Sequence, residues 1–108
     1  MVELRVEGLP AEALAAAAQF HAEWLLKARE MLSEGHLVLI FPRADHTHRA
    51  WRLAAVQGLA RESAPLRVNA VASDSEAAIV AALRYLANAP GVTGQYLPLD
   101  DLGAGSVV

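Results

Sequence analysis

Residues 54–72 read AAVQGLARESAPLRVNAVA, and a change of pattern inside that stretch decides the fold. Its first half is rich in Ala, Leu, Gln, Arg and Glu, which favour a helix. A helix is predicted over residues 47–62, with Ala50, Leu53, Ala54, Leu59 and Ala60 turned inward. Pro65 breaks that pattern. Residues 66–71, LRVNAV, then read as a strand.

The same alternation extends in both directions. Val2, Leu4 and Val6 alternate with Glu3, Arg5 and Glu7, as in a half-exposed strand. Residues 11–34 contain no Gly or Pro and are predicted helical. Leu14, Ala17, Ala18, Trp24, Leu25, Ala28, Met31 and Leu32 give that helix an apolar stripe, and Phe20 widens it. A face this wide predicts contact with a sheet and with something else. Gly35 stops the helix. The run HLVLIF, residues 36–41, suits a strand buried on both faces. Downstream, Ser73 and Glu76 have the spacing of a capping box, opening a helix that carries Ile79, Val80, Leu83 and Leu86. Asn88, Pro90 and Gly91 end it, and residues 95–99 form a last strand. Strands alternating with helices predict a parallel sheet with right-handed crossovers.

Composition bounds the function. The chain has 108 residues, the size of one domain. It is 55% hydrophobic and 19% charged with a net charge of −3, so nucleic acid, which needs clustered Lys and Arg, is not an expected partner. There is no Cys, which removes disulfides, zinc–thiolate sites and thiol nucleophiles. The N-terminus lacks the basic-then-apolar order of a signal peptide, and no apolar run reaches about 18 residues. Neither secretion nor a membrane partner is expected, and the expected location is cytoplasmic. The Ala-rich composition is associated with bacterial genes of high GC content.

Residues 54–72, with Arg67-Val68-Asn69 on the strand, resemble the short-chain dehydrogenase/reductase (SDR) family. Residues 76–101, EAAIVAALRYLANAPGVTGQYLPLDD, continue the resemblance through Val92-Thr93-Gly94-Gln95. It extends more weakly upstream, to about residue 11. The resemblance implies an α/β fold: a small, mainly parallel sheet of about four strands with three helices, the C-terminal half of a Rossmann-like fold. Residues 1–102 are then a single truncated domain and residues 103–108 a flexible tail.

The family's catalytic and cofactor features do not carry over. Its nucleotide site opens with a strand and a Gly-rich turn. Here the glycines of GAG, Gly103 and Gly105, follow the last strand with no helix after them. Set against the family pattern, the tyrosine position falls on Arg49, the lysine on Leu53, the serine on Pro42 and the asparagine on Gln19. Leu and Pro side chains exchange no proton, and Arg is no base at neutral pH. After Ala72 the family's Pro-Gly and its substrate loop are missing. No enzyme activity and no cofactor are expected, nor is a response to nicotinamide nucleotides.

Other residues invite a site reading. Asp45, His46 and His48 resemble a metal or acid–base cluster, yet two His and one Asp are an incomplete zinc shell, and no metal is expected. Asp45 or Thr47 serves equally as a helix N-cap. Tyr85 and Tyr96 have no Lys nearby, and Asp100 with Asp101 reads as a solvated pair.

What remains is surface. The resemblance implies that the helices over residues 11–34 and 47–62 pack against their copies in a four-helix bundle. It also implies a second contact through the last strand and its preceding helix. The expected interface residues are Phe20, Trp24, Trp51, Leu53, Val56, Leu59 and Tyr96. The expected function is non-catalytic and works through oligomerisation, as a homodimer or as the accessory subunit of a full-length reductase. The alternative is a small-molecule binding module, or an enzyme of new chemistry using the loop of Asp45, His46 and His48.

Overall fold

The computed structural model describes residues 1–100, 106 and 107. Asp101, Gly103 and Gly105 lie outside the described residues. Four strands alternate with helices, β1 (Val2–Arg5), β2 (Leu37–Phe41), β3 (Val68–Ala72) and β4 (Tyr96–Asp100), and a two-residue β5 (Ser106–Val107) follows β4. The sheet order follows the chain. β1 to β4 are all parallel and β5 pairs antiparallel with β4. The predicted α/β half-fold is therefore present.

Helices α1 (Ala13–Gln19) and α2 (Leu25–Met31) are joined by one π turn, Phe20–Trp24. The sequence accounts for that turn. The buried positions Ala16, Phe20, Ala28 and Leu32 are all separated by multiples of four. On an uninterrupted α-helix the span from Ala16 to Leu32 is about 4.4 turns, which puts its ends on nearly opposite faces. In the π turn the Leu25 N–H bonds to the carbonyl of Phe20, five residues back. That wider turn absorbs residues and keeps one face on the sheet. A 3-10 turn, Leu32–Glu34, follows, and Gly35, at φ 143°, ends the helical run in a conformation that favours glycine.

Helix α3 (Arg49–Ser63) buries Arg52, Ala55, Val56, Leu59 and Ala60. The expected inward set was off register: Leu59 and Ala60 hold, Leu53 is half-buried, and Ala50 and Ala54 are exposed. Helix α4 (Glu76–Ala87) starts two residues later than the Ser73 cap predicts. Ser75 is the N-cap and accepts from the Ala78 N–H, while the Ser73 hydroxyl accepts from the Ser75 N–H. Ile79 and Leu86 are buried, but Val80 faces solvent.

β2 and β3 are buried at every residue. Leu37, Leu39, Phe41, Val68, Ala70 and Ala72 pack beneath α1, α2 and α3. Val38, Ile40 and Val71 pack against Ala78, Ile79, Ala82 and Leu86 of α4. This corrects the expectation of uniformly right-handed crossovers. Each crossover steps one strand in the same direction, so α4, on the opposite face, is reached with the opposite hand from the earlier two. The physical reason is cover: strands apolar on both sides need helices on both sides, and only the last helix lies over the second face.

β1 pairs beside β2, with the Val2 N–H on the His36 carbonyl at 2.7 Å and the Val6 N–H on the Ile40 carbonyl at 2.9 Å. Its other edge is unpaired among the described residues. Arg5 and Glu76 form a salt bridge across the otherwise open second face of β1.

Candidate functional site

The chemistry-bearing residues gather where β1 and β2 end. Asp45 caps the 3-10 turn His46–His48, accepting from the Thr47 N–H at 2.9 Å and from the Thr47 hydroxyl. His48 is buried. Its Nδ1 accepts from the Trp51 indole N–H at 3.0 Å, and its Nε2 lies 2.9 Å from the Ala11 carbonyl. These partners assign the neutral tautomer with the proton on Nε2. His48 thus ties the segment before α1 to the start of α3. His46 is exposed. His21 bonds the Ala17 carbonyl on its own helix, and His36 Nδ1 accepts from the Arg67 N–H. Among the described residues, no three His, Asp or Glu side chains are grouped to hold a metal ion.

The Thr47 hydroxyl and then the Thr47 N–H hold the Asp45 carboxyl below the usual carboxylate range. A depressed folded-state pKa stabilises the fold above the unfolded value, and that contribution is lost as pH falls through the folded value. Thr47→Ala is expected to move the Asp45 titration upward. A carboxyl carbon shift followed by NMR checks this, and an unchanged midpoint would remove the hydroxyl as the cause.

Of the four positions aligned with the family's catalytic residues, Pro42 and Arg49 are exposed, while Gln19 and Leu53 are half-buried. The chain's single lysine, Lys27, lies 4.4 Å from the centre of the Trp24 ring. Tyr85 is exposed on α4. Tyr96 is buried and its hydroxyl accepts from Arg52 at 3.1 Å. No tyrosine is paired with a lysine among the described residues.

The motifs that carry the resemblance are structural. Asn69 is buried in β3; its Nδ2 donates to the Val92 carbonyl at 2.9 Å and its Oδ1 accepts from the Gln95 N–H at 3.1 Å. Thr93 Oγ1 accepts from the Val68 N–H. The Gly94 N–H reaches the Val68 carbonyl at 2.7 Å, with Gly94 at φ 73°. Arg67 donates to the carbonyls of Leu86 and Ala89 and so caps the C-terminal end of α4. Together they fasten the loop between α4 and β4 to β3.

Of the residues expected at an interface, Phe20, Val56, Leu59 and Tyr96 are buried within the chain itself. Only Trp24, Trp51 and Leu53 of that set are part-exposed.

Arg52 is the residue that sequence reading missed. It is 3% exposed. Its Nη1 donates to the Pro42 carbonyl at 2.9 Å and to Tyr96, and its guanidinium carbon lies 4.5 Å from the Phe41 ring centre. Its buried Nε has no partner among the described residues. The available signal was helical spacing: positions 52, 55, 56, 59 and 60 share one face, with an arginine among apolar residues. Arg52 and His48 both line a cavity of about 290 Å³ at the carboxyl ends of β1 and β2.

Comparison with known proteins gives one match. The family model described as SDR-like, short chain dehydrogenase-like protein, covers residues 4–99. No curated protein and no solved structure matches.

Proposed function

We propose that this chain, which belongs to the SDR-like family of short-chain dehydrogenase-like proteins, is a non-catalytic member that works by associating with other chains. It does so as a homodimer or as the accessory subunit of a full-length reductase. One observation carries the reading. Leu14, Ala18, Ala22 and Leu26 are all exposed, each two residues before a position on the inward face of the first helical run. Two residues are about 200° round a helix, so these side chains form an apolar stripe turned away from the core. Leu14 is 78% exposed and Leu26 63%.

An apolar stripe on the solvent side of a helix gains by burial against a partner. Beside it, Leu25 with Ala54 and Gly58 of α3 lines a shallow groove, edged by the Arg29–Glu62 pair. Small residues there let another helix approach closely. Leu53 and Arg49, in place of a catalytic lysine and tyrosine, support the non-catalytic half of the proposal.

The test is molar mass by light scattering across a concentration series. The expected value is twice the chain mass or a higher multiple. Leu26→Glu is expected to weaken association by at least about a hundredfold, since it places an unpaired charge in the contact. It should leave the melting temperature of the monomer nearly unchanged, because Leu26 is 63% exposed and belongs to neither core cluster. A wild-type monomer at every concentration that also fails to bind a full-length short-chain reductase overturns the proposal.

A further inference from the structure

We infer that the cavity at the carboxyl ends of β1 and β2 is a binding site for a small monocarboxylate with a short apolar body, held by Arg52. A guanidinium is always charged, and a buried charge ordinarily has an opposite charge beside it. Arg52 has none: among the described residues it forms no ion pair with a carboxylate. Its neighbours are a carbonyl, a phenol and the rings of Phe41 and Trp51, the latter centred 5.8 Å away. These partly replace water but supply no counter-charge. The orphaned Nε adds a second unmet demand. A carboxylate in the cavity supplies the missing counter-charge to the guanidinium, although Nε itself is closed to solvent.

The walls select the ligand. Leu9, Pro10, Ala16 and Ala44 are apolar and suit a short hydrocarbon body. His48 adds no positive charge, because both its ring nitrogens are engaged in the neutral tautomer. Asp45 lines the same cavity, and its carboxylate disfavours a dianion such as phosphate. Arg43 stands exposed at the opening, its backbone N–H on Asp74. The volume, about 290 Å³, holds a ligand of a few carbons. The place is also the usual one, since open parallel sheets bind ligands beyond the carboxyl ends of their strands. Neither Leu14 nor Leu26 lines this cavity, so the site stands or falls apart from the association surface.

The experiment is thermal unfolding of the full chain with butyrate, butyramide or inorganic phosphate at matched ionic strength. Saturating butyrate is expected to raise the melting temperature by about 4–8 °C. Butyramide has the same body without the charge, and phosphate has the charge without the body; both should leave it within about a degree. Arg52→Met is expected to abolish the butyrate response. Ala44→Phe, a change on the exposed rim that fills the cavity and spares the core, should abolish it too and keeps the test decisive if Arg52→Met fails to fold. No shift with butyrate overturns the inference, as does an equal shift in Ala44→Phe. A phosphate effect matching that of butyrate would mean a general anion site and overturn the carboxylate assignment.

Discussion

Phe20→Ala is expected to destabilise the chain by about 3–5 kcal/mol, the range for removing a large buried side chain and leaving a cavity. Phe20 is fully buried. Its ring meets those of Phe41 and Trp51 at centroid distances of 5.8 and 5.5 Å. It also opens the π turn, so the helix and the sheet meet at this side chain. A domain of this size has about 5–15 kcal/mol in all. The melting temperature should therefore fall by more than about 12 °C. Phe20→Leu, which retains most of the volume, should cost about 1–2 kcal/mol. Urea unfolding followed by tryptophan fluorescence measures both. A loss below about 1 kcal/mol in the alanine variant, with a change in molar mass instead, would mean that Phe20 anchors a subunit contact and not the core.

Asn69→Ala is expected to cost about 2–4 kcal/mol, since it removes two hydrogen bonds and strands their partners. Asn69 is 1% exposed, so water does not replace its amide. The Val92 carbonyl and the Gln95 N–H both lose their fastening to β3. The damage should be local before it is global. Amide exchange in residues 88–95 is expected to accelerate most, with β2 unchanged until the whole chain unfolds. Uniform acceleration across the sheet, or a loss under 1 kcal/mol, would show that the loop between α4 and β4 is held by other contacts.

The Asn69 network shows how a family motif can be fixed by the fold alone. Arg67, Val68, Asn69, Thr93 and Gly94 hold one loop to one strand, and that need exists with or without an active site. Those residues made the resemblance legible because backbone geometry demands them. Gly94 accepts a positive φ, and Asn69 supplies a donor and an acceptor at one buried point. Arg49, at the position aligned with the family's tyrosine, is exposed and under no such demand from the fold.

The alternation of strands and helices could be read without coordinates, because apolar runs and Pro or Gly breaks act over a few residues. HLVLIF declared a strand buried on both faces, and Leu37–Phe41 is buried throughout. The Asp45 cap was legible for the same reason: its partner, Thr47, is two residues away. Helix faces were harder. The inward face of α3 was misplaced, and so Arg52 passed unnoticed.

What only the tertiary structure decided depends on residues distant in the chain. Phe20, Val56, Leu59 and Tyr96 look alike whether they face a core or a second subunit, and only packing from three elements made them core. The side of the sheet taken by α4 followed from which face still needed cover. Arg52 acquired its character from Pro42, Phe41 and Tyr96, the last of them 44 positions along the chain. Local pattern determines which segments fold into what, because propensity and periodicity are properties of neighbours. Burial of a charge, and the cavity beside it, are properties of the whole fold.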